Sequence, residues 1–110
     1  MKLPEGVHAV IDPRKLLNYG LSFEHDYGKH KAALFRELLG ITVETVGQLV
    51  QALREAAAYG DTTLGRHDRY GQRYQIDFNF SGPTGSAVAR SVWIVAEGEV
   101  APRLITCYIL

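Results

Sequence analysis

The sequence predicts an α+β domain: two or three N-terminal helices followed by a three- to four-stranded antiparallel meander sheet. Three observations carry this. Apolar residues recur at helical spacing up to residue 60. Strict apolar–polar alternation begins at residue 73. Glycine- and proline-bearing turns then separate the remaining apolar segments into strand lengths. Helices first and strands after give an α+β layout, with the helices covering one sheet face.

The elements follow in order. Asp12-Pro13 reads as an N-cap with proline at the first helical position, opening a short helix or turn over 14–19 anchored by Leu16 and Leu17. A loop spans 20–28. Over 29–39, Ala32, Leu34, Phe35, Leu38 and Leu39 have helical spacing, and Gly40 supplies the stop. Thr42 is placed to cap the next helix, whose stripe is Val46, Leu49, Val50, Leu53, Ala56 and Ala57, ending at Tyr59-Gly60. Residues 61–71 are polar and glycine-bearing and read as a connector, with room for a short fourth strand over 62–70. Tyr74, Ile76, Phe78 and Phe80 alternate with Arg73, Gln75, Asp77 and Asn79, a half-buried strand. Ser81-Gly82-Pro83-Thr84-Gly85 is a turn. A second strand covers 87–96, and after Glu97-Gly98-Glu99 and Pro102 a third covers 103–110.

Bulk properties narrow the function. The chain has 110 residues, 46% of them hydrophobic, which fits one folded domain over 1–110. No apolar run approaches the roughly 20 residues of a membrane span, and the N-terminus lacks the apolar core of a signal peptide. A cytoplasmic protein without membrane contact is the simplest reading. Cys107 is the one cysteine, so neither an internal disulfide nor a four-cysteine zinc site can form. Net charge is zero, from 12 basic and 12 acidic residues. A nucleic-acid role must therefore rest on a local site, since proteins held by phosphate backbones carry a basic excess.

The densest chemistry is His25-Asp26-Tyr27-Gly28-Lys29-His30-Lys31, at the mouth of the expected 29–39 helix. Imidazole titrates near neutral pH and lysine is a point charge for a phosphate. His25 and His30 are five apart with no partner cysteines, a poor metal spacing, so neither metal nor other cofactor is expected. Metal-free RNA cleavage needs a base for the 2′-hydroxyl proton, an acid for the leaving 5′-oxygen, and cations for the phosphorane. His25 suits either proton role, and Lys31 in the first helical turn suits the cation. The same residues also fit a solvated polar loop.

On the second strand, Val88, Arg90, Val92, Ile94 and Ala96 share one face, apolar except for Arg90. Arg90 needs an anionic partner, a sheet edge or a cleft; an ion pair with Asp77 or a helix carboxylate answers that need equally well. Trp93 lies on the other face and reads as core or as the lining of a pocket. Leu104, Thr106 and Tyr108 share a face of the last strand, where the two hydroxyls can meet a ligand or simply form strand. Cys107 reads as a small buried thiol.

Several blocks together resemble a small bacterial domain family of unassigned function. They are Arg14-Lys15-Leu16 with Tyr19, His25, Gly28, Lys31-Ala32 with Phe35, and Leu39-Gly40-Ile41 in the front half. The back half carries Asp68-Arg69-Tyr70-Gly71-Gln72, Arg90-Ser91-Val92-Trp93-Ile94-Val95 and Pro102-Arg103-Leu104-Ile105-Thr106-Cys107-Tyr108. The resemblance covers about 12–110. Such domains stand alone or form the C-terminal tips of polymorphic bacterial toxins, and are similar to the barnase, EndoU, colicin and RelE-like (BECR) group of metal-independent ribonuclease toxins. The resemblance implies a toxin-like ribonuclease, acting on tRNA or mRNA and neutralised by a cognate antitoxin or immunity protein. By position it implies His25, Lys31, Arg90 and Thr106 as catalytic, with Trp93 and Tyr108 toward substrate. The chain departs from RelE-like toxins in having no basic excess. The competing expectation is a non-catalytic module forming a homodimer or heterocomplex, with the apolar strand over 104–110 at a sheet edge, open to pairing.

Overall fold

The protein is described by a computed structural model covering residues 1–12, 39–42 and 44–110. The expected fold class needs correcting. The described residues contain one α-helix, α1 (Val46–Tyr59), and one 3-10 turn, Gly6–His8, so strands dominate. Two or three N-terminal helices are not what these residues show. The expected helices over 14–19 and 29–39 lie outside the described residues, save Leu39. The expected sheet is present, as four strands: β1 (Thr62–Asp68), β2 (Gly71–Gly82), β3 (Gly85–Ala96) and β4 (Arg103–Ile109). They form an antiparallel meander in the order β1-β2-β3-β4.

Helix α1 forms because its apolar residues keep one face. Leu49, Leu53, Ala56 and Ala57 stand four, three and one apart and are all buried. Val46 and Val50 pack beside them. The helix starts later than expected, with Thr45 rather than Thr42 at the N-cap. The Thr45 hydroxyl accepts the Thr42 N–H (2.8 Å) and donates to the Gly40 carbonyl (3.1 Å), so it ties the entry loop instead of capping the helix. Gly40 has φ 69°, the left-handed region that suits a chain stop at glycine. At the other end, the Gly60 N–H closes on Ala56 O at 2.8 Å.

The inner face of the sheet is the core. Tyr74, Ile76 and Phe80 of β2, Ala89 and Trp93 of β3, and Leu104 and Cys107 of β4 join Leu49 and Leu53 there. Burying a leucine fully contributes about 1.5–3 kcal/mol relative to exposure. Trp93 is 0% exposed, and its indole N–H donates to Ser91 Oγ at 2.9 Å. Ser91 Oγ in turn donates to the Ile76 carbonyl at 2.9 Å. The polar atoms carried inward are thereby satisfied, which burial requires.

Two features differ from the sequence reading: the segment read as a connector with room for a short strand is a full edge strand, and the N-terminal segment had no element assigned to it. Residues 62–68 form edge strand β1, exposed along most of its length, so no alternation marks it; its ladder to β2 holds it in place. The N-terminal segment crosses the sheet. The Met1 carbonyl accepts the Thr62 N–H (2.7 Å) at the β1 edge, and Val10 forms a parallel bridge to Arg103 at the β4 edge. Leu3, Ala9 and Ile11 of this segment are buried, and Gly6 lies so close to the Ala57 carbonyl that no Cβ fits.

Strand β4 also carries an irregularity. Val92 pairs with Thr106 but Trp93 pairs with Leu104, so Ile105 is an extra residue. Leu104 and Cys107, three apart, both turn inward. The expectation that Leu104 shares a face with Thr106 and Tyr108 is therefore corrected: the bulge separates them.

Leu53→Ala should cost about 2–5 kcal/mol, as large-to-small changes in enclosed sites do. Leu64→Ala, on the exposed edge strand (58% exposed), should stay within about 0.5 kcal/mol. Urea unfolding of both variants checks this; equal losses would contradict the assigned core.

Candidate functional site

The outer face of the sheet is set by the same alternation that builds the core. With Ile76, Ser91 and Cys107 turned inward, their neighbours Asp77, Arg90 and Tyr108 face outward, aligned across β2, β3 and β4. One row along, Gln75, Val92 and Thr106 align in the same way. Arg90, Thr106 and Tyr108, three of the expected site residues, are thus neighbours on one surface.

Arg90 is the charged centre of that surface. Its Nε–H donates to Asp77 Oδ1 at 2.8 Å and its Nη2–H to Asp77 Oδ2 at 3.0 Å, a two-pronged pair between directly opposed residues. The Asp77 side chain is 39% exposed and that of Arg90 30%. The pair holds the Asp77 carboxyl below its ordinary range through the Arg90 hydrogen bond, and raises the already high Arg90 pKa further, with Tyr108 adding to the effect. Arg90 is a permanent cation, and the ion pair with Asp77 weighed from the sequence is present.

The other expected site residues lie elsewhere. Trp93 is on the opposite, inner face and fully enclosed, so its indole packs the core and reaches no ligand on the outer surface. The reason is its register, one residue from the outward Val92. His25 and Lys31 lie outside the described residues, as do Asp26, Tyr27, Lys29 and His30. Cys107 is buried, as read. Among the described residues, no three His, Cys, Asp or Glu side chains come together. No described helix is long and apolar enough to cross a membrane.

The Asp68-Arg69-Tyr70-Gly71-Gln72 block turns out to be turn chemistry. Asp68 Oδ1 accepts the Tyr70 N–H (2.9 Å) and Oδ2 accepts from Arg73 (2.7 Å), which together hold that carboxyl below its ordinary range. Gly71 sits at φ 139°, a conformation other residues rarely adopt. Gln72 Nε2 donates to Gly65 O at 2.9 Å, pinning the β1 irregularity. A separate open cavity of about 230 Å³ lies between the N-terminal turn and α1, lined by Val7, Arg54 and Tyr59 among others. It is built from elements on the inner side of the sheet, away from Arg90.

Comparison with known proteins places this architecture. The fold is similar to that of a chain in a contact-dependent growth inhibition toxin–immunity protein complex from Klebsiella pneumoniae 342. The TM-score is 0.70, with 96% of each chain covered and 21% identity, a likeness of fold. The chain itself belongs to the family described as domain of unknown function DUF6883, whose model matches residues 2–110. No match is found among curated proteins.

The Asp77–Arg90 pair has a pH consequence. Asp77 titrates lower in the folded chain than its ordinary 3.8. Its contribution is present above that value and lost as pH falls through the lower folded value. Asp77→Asn should therefore lose stability relative to wild type at pH 7, with the difference closing as pH falls below 3.8 and on through the lower folded value. Chemical denaturation across that range checks it; a gap that widens in acid would contradict the pairing.

Proposed function

We propose that this chain is the toxin-type member of a toxin–immunity pair and that it cleaves RNA without a metal. The observation that carries the reading is the grouping of Arg90, Thr106 and Tyr108 on one sheet surface, a cation with two hydroxyl residues on the neighbouring strand. A fold shared with a chain of a toxin–immunity complex supports the partnered half of the reading. The BECR-type chemistry comes from the sequence resemblance.

The reaction fits these groups. A base takes the 2′-hydroxyl proton as the 2′-oxygen bonds to phosphorus, with His25 serving as this base or as the acid of the next step. The bond from phosphorus to the 5′-oxygen breaks, and an acid returns a proton to that oxygen. The products are a 2′,3′-cyclic phosphate and a free 5′-hydroxyl. Arg90 and Lys31 hold the negative phosphorane, and Thr106 and Tyr108 orient it by hydrogen bonds. Trp93 contributes from beneath, by keeping the surface rigid. His25 and Lys31 enter on sequence alone.

A second reading, a non-catalytic interaction module, draws on one observation: Arg90 already has a carboxylate partner in Asp77. Its homodimer form would use the β4 edge beyond the single bridge that Val10 makes at Arg103.

Induced expression in bacteria lacking the partner separates the readings. Growth should stop and RNA should fragment, with both effects absent in His25→Ala and Arg90→Ala. Unchanged growth with intact RNA would overturn the ribonuclease reading and leave the interaction module.

A further inference from the structure

We infer that Asp77 is a positioning residue for Arg90, holding the guanidinium so that its remaining donors meet the phosphate of a bound RNA. This rests on the ribonuclease reading above.

The geometry is specific. Asp77 and Arg90 are register partners on β2 and β3, the two strands with a neighbour on each side. Neither can slide without breaking the ladder. Asp77 engages Nε–H and one Nη2–H from the β2 side. Tyr108 is the register partner of Arg90 on the β4 side and also raises its pKa through a hydrogen bond. A guanidinium carries five N–H donors in a planar fork. Asp77 takes one edge of that fork and Tyr108 draws on it as well, and the remaining N–H donors are those a second oxyanion would meet.

Stability does not explain this arrangement well. A part-exposed ion pair contributes only about 0–1 kcal/mol. The register of β2 against β3 is already held by Trp93, Ser91 and the Ile76 carbonyl. What the pair does is remove rotamer freedom from a long side chain before ligand arrives. It does so with a negative charge that weakens phosphate attraction. Asp77 thus trades ground-state binding for orientation, and the two effects have opposite signs in kinetics.

The test is steady-state cleavage of a synthetic RNA by the full chain as wild type, Asp77→Ala, Asp77→Asn and Asp77→Glu, with thermal melting of each. The RNA is one the wild type cuts. Asp77→Ala should lower kcat by about 10-fold or more, the scale expected when a transition-state contact is misplaced. KM should stay equal or fall, since a repelling charge is gone. Asp77→Asn should behave likewise while keeping shape, and Asp77→Glu should recover part of kcat. Wild-type cleavage with kcat of Asp77→Asn within twofold of it would overturn this proposal alone. A raised KM in both Asp77→Ala and Asp77→Asn would also overturn it. No cleavage of any RNA by wild type would overturn the ribonuclease reading and this proposal with it.

Discussion

The chain of hydrogen bonds from the Trp93 indole to Ser91 and on to the Ile76 carbonyl decides which side of the sheet is which. Trp93 is the largest fully buried side chain, and it brings a polar N–H into an apolar core. An unmet donor there would cost about 1–3 kcal/mol, so the indole is held where Ser91 can meet it. Ser91 is two residues away on the same strand face and is itself tied to β2. A slip of one residue between β2 and β3 would break the Ser91 bond to the Ile76 carbonyl and turn the whole apolar set toward solvent. With the inner face so determined, Arg90 has nowhere to go but out.

The outer surface then follows from register. Asp77, Arg90 and Tyr108 align across three strands, and the extra residue Ile105 brings Thr106 beside them. Without that bulge, Thr106 and Tyr108 would lie on the same face as Leu104, which is in the core. The arrangement also accounts for a zero net charge in a chain read as an RNA enzyme. The arginines Arg73, Arg90 and Arg103 are each paired with a carboxylate, at 2.7, 2.8 and 3.4 Å. Contact with phosphate is local and geometric in this account, in place of a broad basic surface.

How much of this was legible in the sequence depends on how periodic each part is. Helix α1 and the β2–β3 hairpin were readable because one buried face imposes a strict period of 3.6 or 2. Strand β1 was hard to read because it is an edge, solvated on both faces, and nothing selects alternation there. The N-terminal segment touches the sheet through one bridge, the Met1–Thr62 hydrogen bond and three buried side chains, too little for a pattern. The Ile105 bulge shifts a face without changing composition, so it misassigned Leu104 relative to Thr106. The Asp77–Arg90 contact was visible only as one option among carboxylates, because choosing it requires the register. Trp93 was weighed as core and as pocket, and its neighbour Ser91 is the residue that decides between them.

The central claim is that the phosphate of RNA is met by Arg90 on the outer face of a sheet whose inner face stays closed. NMR titration of the full chain with a 2′-deoxy-substituted, uncleavable RNA tests it most directly. The account predicts shifts concentrated at the Arg90 guanidinium and the Thr106 and Tyr108 amides, with the Trp93 indole resonance unmoved. Shifts confined to the β1 edge or the α1 cavity, with Arg90 silent, would contradict it.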